Sequence, residues 1–183
     1  MNLWIFYVGG YFIAYSIQIW ANRKRGMPFD DPEFLKPKIY IPALIWILGG
    51  FLVSIFVPID FGVLFYIGLI ISAIGMAIGI MALYSFANSP GLTTSRIHRY
   101  SRNPVYLGWM IFFLGLTLIG WSDSIWSILF LIYLIITIPY LHWTILLEER
   151  FLLGKYGEPY QRYMEETSRY FGVPKNNQEN QHK

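Results

Sequence analysis

The chain has 183 residues, of which 55% are apolar, 19% aromatic and 14% charged, with a net charge of +3 and no cysteine. So low a charged fraction, against roughly 25% in soluble globular domains, disfavours an ordinary water-soluble domain and indicates a membrane protein. The missing cysteines exclude disulfides, thiolate metal sites and a cysteine nucleophile.

Five apolar segments follow in chain order, at residues 2–20, 39–58, 61–87, 104–120 and 124–147. Each has about the 20 residues that a helix needs to span a hydrocarbon core of about 30 Å. The fold expected is therefore all-α, a polytopic membrane protein with five transmembrane helices. The first segment reads as a retained span rather than a signal peptide, because Arg23, Lys24 and Arg25 follow the apolar run and no small-residue cleavage site is apparent. Short turns around Pro58 and Asp60, and at Trp121–Ser124, join segments two to three and four to five. Each of these pairs is expected to form a helical hairpin. Segment three carries Gly68, Ser72, Gly75, Gly79 and Ala82 on one helix face, and Gly108 and Gly115 in segment four are candidates for the facing surface. In lipid, small residues let two helix backbones approach closely, so packing is the commoner reading of such a strip than a cofactor groove.

All 14 Lys and Arg residues fall between residues 22 and 38, between 96 and 102, or from 150 onward, and the turns at Asp60 and Asp123 carry none. By the positive-inside rule the loops after segments one and three, and the C-terminal tail, face the cytoplasm, which leaves the N-terminus outside. The basic excess then needs only anionic membrane lipid as its partner, and nucleic acid is not expected. An ion-coupled transporter would bury several charged residues along its path, whereas His142 is the one ionisable side chain, tyrosines apart, deep in an apolar run. Pro139 is expected to kink segment five just before it. His142 would share a helix face with Glu149, about 10 Å away, and a hydrogen bond to a neighbouring helix is its ordinary reading.

Polar residues gather instead on the cytoplasmic side, in two places. One is LTTSRIHRYSRNPVYLG, residues 92–108, where Arg96, Arg99 and Arg102 approach segment four. Pro104 suits a first helical turn and Asn103 can cap it. A helix N-terminus beside arginines favours an anion, although a cluster that merely sets topology is the commoner case. The other place is EERFLLGKYGEPYQRYMEETSRYF, residues 148–171. Gly154, Gly157 and Pro159 are expected to break the helix, with a short interfacial helix starting at Pro159. Tyr156, Tyr160, Tyr163 and Tyr170 suit an aromatic belt. The adjacent carboxylates Glu148 and Glu149 repel each other, and Arg150 is placed to relieve part of that repulsion.

Arg102-Asn103-Pro104-Val105-Tyr106 ahead of a membrane helix, a hairpin ending in Glu148-Glu149, then Tyr156-Gly157 with Tyr160 and Tyr163, together resemble the integral-membrane methyltransferases typified by isoprenylcysteine carboxyl methyltransferase and the phospholipid N-methyltransferases. The resemblance runs from about residue 66 to 171. It divides a single membrane domain, residues 1–183, into N-terminal spans (1–60), a methyltransferase-like core (61–171) and a tail (172–183) expected to be disordered. It implies S-adenosylmethionine on the cytoplasmic side, between the loop before segment four and the tail after segment five. It also implies a lipophilic small-molecule or lipid acceptor entering from the bilayer, and no metal. The residues it places at the cofactor are Arg99, Arg102, Asn103, Pro104, Tyr106, Glu148, Glu149 and Tyr160.

The residue types suit that ligand, which presents a carboxylate, an ammonium, ribose hydroxyls and a sulfonium. Arg102 or Arg99 can hold the carboxylate by a charge-assisted fork, and Glu148 and Glu149 can take the ammonium and the hydroxyls. Methyl transfer requires in-line placement rather than a covalent enzyme intermediate, so positioning supplies most of the rate. Arg102, Glu149 and His98 are the candidates for the chemistry itself, with His98 or a glutamate as base for an amine acceptor. Where many relatives read Arg-His-Pro this chain has Asn103, which is neither acid nor base near neutrality, and Arg96 and His98 occupy an upstream Gly-x-Tyr. The alternatives are a membrane reductase of the sterol-reductase type using a nicotinamide cofactor, and a non-catalytic membrane assembly protein built on the small-residue strip. The expected location is multi-pass, in the cytoplasmic membrane of a prokaryote or the endoplasmic reticulum of a eukaryote.

Overall fold

The computed structural model describes residues 1–26 and 37–173. Lys36, Lys175, Lys183, the side chain of Lys38 and the predicted tail beyond residue 173 lie outside the described residues. Six α-helices are found, α1 (Trp4–Lys24), α2 (Pro37–Phe56), α3 (Val63–Ala87), α4 (Pro104–Ile119), α5 (Ile125–Tyr156) and α6 (Glu158–Glu166), with a 3-10 turn at Arg96–Arg99 before α4. The described residues form no strand.

The five long helices are the five apolar segments. Two of them, α3 and α5, are long and apolar enough to cross a membrane by length and composition. Their outer faces are apolar and uncovered, with Val63, Ile70, Ile125 and Ile135 all more than half exposed; a bare apolar surface of this extent is what lipid covers. At 16 residues, α4 extends only about 24 Å. Pro104 opens it and Gly120 follows its end.

The sharpest agreement with the sequence lies between α3 and α4, the most extensively packed pair in the fold. A Cβ built on Gly108 would sit 2.7 Å from the Gly75 carbonyl oxygen, and one on Gly68 would sit 2.6 Å from the Gly115 carbonyl oxygen. Ser72 adds a hydrogen bond from its Oγ to the Phe112 carbonyl, at 3.3 Å. The helices touch backbone to backbone because the strip has no side chains to hold them apart.

Two expectations about neighbours are corrected. Helices α2 and α3, although joined by a short turn, do not form a packed hairpin; α2 lies against α5 and α1, while α3 takes α4 and α1. The small-residue strip on α3 admits α4 at a distance that α2 does not match, and that contact displaces the sequence neighbour. Nor does Gly154 break α5, which runs on through Pro139 and Gly154 to Tyr156. A single glycine costs a helix about 1 kcal/mol relative to alanine, too little to stop it. The break comes at Gly157, whose φ of +61° is readily adopted only by glycine, and Pro159 then lies in the first turn of α6.

The two ends of the bundle differ in charge. At one end the Leu3 N–H donates to the Val57 carbonyl (3.0 Å) and the Ile59 N–H to the Met1 carbonyl (3.1 Å), and Gly120 lies against Val57 and Leu3. Lys and Arg are absent from the turns here. At the other end Lys24 donates to Asn88 Oδ1 (2.6 Å) and Arg25 to Thr93 Oγ1 (3.4 Å), which brings the basic residues after α1 onto the loop after α3. The candidate site residues lie at this second end.

Candidate functional site

Glu148 and Glu149 occupy the extension of α5 beyond its apolar run. Successive residues on a helix point about 100° apart, so the pair diverges, and their surroundings differ accordingly. Glu149 is 4% exposed and lies among three donors. Arg169 grips both its oxygens, with Nε 3.2 and 3.1 Å from Oε1 and Oε2 and a terminal nitrogen 2.9 Å from Oε2. A terminal nitrogen of Arg102 is 3.2 Å from Oε1, and Asn103 Nδ2 donates to the same oxygen at 3.1 Å. Glu148 is half-buried and accepts one hydrogen bond, from the Tyr106 hydroxyl at 2.7 Å. Among the described residues no Lys or Arg pairs with it.

These contacts reassign several roles. Asn103 stands at the N-cap of α4 but makes no capping bond with its side chain; its amide donates to Glu149 and, at 3.3 Å, to the Arg169 carbonyl. A hydrogen bond to an ionised carboxylate is about twice as strong as one between neutral groups, which explains the choice. A carboxylate of the chain itself, that of Glu149, lies near the start of α4. Relief for the acidic pair comes from Arg102 and Arg169 rather than from Arg150, which is exposed.

The cluster is closed by the segment after α6, residues 167–173. The Arg102 N–H donates to the Ser168 carbonyl and the Gly172 N–H to the Tyr100 carbonyl, each at 2.9 Å, which fastens the strap at two points. Ser101 Oγ donates to the Arg169 carbonyl (3.3 Å), and the Tyr170 hydroxyl bonds His142 Nδ1. His142 therefore holds this strap rather than a neighbouring helix. Helix α6 lies beside the strap with Glu158, Gln161, Arg162 and Glu165 outward and Tyr160 and Tyr163 inward. These two tyrosines belong to the interior, not to an aromatic belt. Burial first, and Glu149 next, push the Tyr160 phenol up, so it stays neutral; the Tyr163 hydroxyl donates to the His98 carbonyl at 2.6 Å. Arg102 is 8% exposed. One terminal nitrogen donates to the Met164 carbonyl at 2.6 Å, whereas its Nε is buried without an acceptor.

Of the residues singled out from sequence, Arg102, Asn103, Pro104, Tyr106, Glu148, Glu149 and Tyr160 thus come together. Arg99 and His98 do not join them through any described contact. Arg99 is exposed. His98 is buried, and burial first, with Arg25 adding to it, lowers its pKa to about 4. Because the folded pKa lies below the ordinary 6.5, His98 is neutral in the native state, and stability is full above pH 6.5 and falls as the pH drops toward 4. A His98→Gln variant is expected to remove a contribution on the order of 3 kcal/mol to that fall. Thermal midpoints of detergent-purified protein between pH 4 and 7 measure it, and equal pH dependence in both proteins would contradict this account.

Arg169, Tyr170 and the Met164 carbonyl were not anticipated. Arg169 lies 20 residues beyond Glu149 and no periodicity links them; the available signal was charge balance, since two carboxylates beside one arginine leave an unmatched charge. Two clefts lie elsewhere. One is small, apolar and lined by Ala14, Gly79, Leu83, Val105 and Trp109 among others, and the other is open around Lys24, Arg25, Asn88 and Pro90.

An apolar helical bundle with a built cluster of charged and hydrogen-bonding side chains at its basic end has the form of a membrane-associated enzyme. Comparison with known families makes this specific, because the phospholipid methyltransferase family model matches residues 61–159, more than half of the chain. The chain belongs to the phospholipid methyltransferase family, whose members are membrane-associated methyltransferases. No curated protein and no solved structure matches it.

Proposed function

We propose that this chain is an S-adenosylmethionine-dependent methyltransferase with five membrane spans, the start of α1 outside and the carboxylate cluster on the cytoplasmic face, acting on a small hydrophobic or lipid-like acceptor. Topology rests on charge: the Lys and Arg residues among the described ones gather at one end of the bundle, the end that the positive-inside rule assigns to the cytoplasm. The reading of the site is carried by one observation, that a buried Arg102 Nε–H lacks an acceptor while the nearby Glu148 lacks a cation among the described residues. An amino-acid moiety offers a carboxylate to the first and an ammonium to the second, so the residues present fit this cofactor.

When bound, S-adenosylmethionine supplies a methyl group activated by its sulfonium. The work of this chain is to bind and orient. Tyr106 fixes the Glu148 carboxylate by donating to Oε2. Met164 and Glu149 hold two of the three Arg102 nitrogens, which sets the plane of the guanidinium. The strap covers Glu149 and excludes water from it, which strengthens the charge interactions around the cluster. Asn103 positions but moves no proton, and the position of His98 gives it no part in this scheme.

Incubating detergent-purified protein with methyl-labelled cofactor and total membrane extract tests the activity, and label is expected in a lipid-soluble product. In a calorimetric titration, Glu148→Gln is expected to weaken cofactor binding about 30-fold or more, as for loss of one partner of a desolvated charge pair. Unchanged affinity would remove Glu148 from the site.

A further inference from the structure

Residues 160–173, and with them Arg169, lie beyond the part of the chain that matches the family. The cluster there holds one more cation than Glu149 needs. Arg169 makes three hydrogen bonds to Glu149, using both oxygens, whereas Arg102 makes one contact of 3.2 Å to a single oxygen. Two guanidiniums and one carboxylate leave a net positive charge, and it is held nearer Arg102, the less engaged of the two and the one with a buried donor free.

From this arrangement we infer that Arg169 is a specificity-determining residue: by taking up the charge of Glu149 it leaves Arg102 positive toward a ligand carboxylate, and so selects a zwitterionic ligand over one bearing only an amine. This rests on the cofactor reading above. Without Arg169, Glu149 would draw Arg102 into a neutral pair, and the anionic end of the ligand would lose its partner while the ammonium end at Glu148 would not. The two ends of one ligand thus depend on different residues, and a merely structural role for Arg169 would not separate them.

Calorimetric titration of the full chain with S-adenosylmethionine and with its decarboxylated form, which keeps the ammonium and sulfonium, makes the distinction. Arg169→Ala is expected to weaken S-adenosylmethionine about tenfold or more and the decarboxylated ligand by no more than about twofold, and Arg169→Lys to restore most of the loss because it restores the charge. The Arg102–Glu149 contact, the strap's backbone bonds and the Tyr170–His142 bond do not involve the Arg169 side chain. Should Arg169→Ala prove unstable in a thermal scan, Arg169→Gln carries the same expected split. Equal losses for both ligands, or none for either, would overturn the inference while leaving the cofactor assignment intact. A wild-type chain that binds neither ligand overturns the cofactor assignment, and this inference with it.

Discussion

Glu149→Ala is expected to destabilise the protein by about 3–5 kcal/mol, the usual consequence of removing one partner from a buried ion pair. The loss follows from what the substitution leaves behind. Arg102 is 8% exposed and would keep a full charge with only the Met164 carbonyl as an acceptor. Arg169, one-third exposed, can turn to water, so its share of the penalty is smaller. Glu149→Gln should cost less, because its carbonyl oxygen still accepts hydrogen bonds. Glu148→Ala, which strands only a tyrosine hydroxyl, should cost less again. Thermal unfolding of the three variants in one detergent gives the order, and a Glu148 variant as unstable as Glu149→Ala would show that the division between the two carboxylates is misdrawn.

The second large effect is expected between α3 and α4. Gly75→Leu should abolish recovery of folded, monodisperse protein, and Gly108→Ala should already lower the thermal midpoint. Added atoms at either position meet backbone of the opposite helix, with the Gly108 carbonyl oxygen 2.7 Å from a Cβ on Gly75 and the Gly75 carbonyl oxygen 2.7 Å from one on Gly108. Backbone cannot rotate out of the way as a side chain can, so the helices must separate along the whole seam. Overpacking ordinarily costs about 1–3 kcal/mol and more where nothing can yield. Gly79 supplies the contrast: a Cβ there meets nothing within 4 Å, and Gly79→Ala should be neutral or gain up to about 1 kcal/mol from helix propensity. Equal losses from Gly79→Ala and Gly108→Ala would mean that the strip acts by something other than close approach.

What could be read from the sequence was whatever depends on composition and helical spacing. The five apolar runs became five helices, and the seam of Gly68, Ser72, Gly75 and Gly79 met Gly108 and Gly115 as their spacing suggested. The convergence of Arg102, Asn103, Tyr106, Glu148 and Tyr160 was also legible, because the order of these residues resembles a family pattern. Less legible were choices made between competing partners. Asn103 could cap a helix or donate to a carboxylate, and only the arrival of Glu149 decides which. Helix α2 could have stayed with its sequence neighbour, but α3 packs more closely on α4. Tyr160 and Tyr163 suit an interface by residue type, yet the polar residues beside them on α6 claim the outer face. Arg169 was invisible because its pairing with Glu149 depends on the path of the strap, which no local pattern records.

The strap also imposes an order on the making of the molecule. Arg102 is synthesised before Glu149, and Arg169 follows Glu149 by 20 residues. Once α5 has formed, Glu149 can meet Arg102 and Asn103 but not its principal partner. A chain ending between α6 and residue 169 would have an acidic group that meets Arg102 and Asn103 but not Arg169, open to water at the end of the bundle. The bonds from Arg102 to Ser168 and from Gly172 to Tyr100 therefore close over Glu149 last, after helices α1–α6 have all been made.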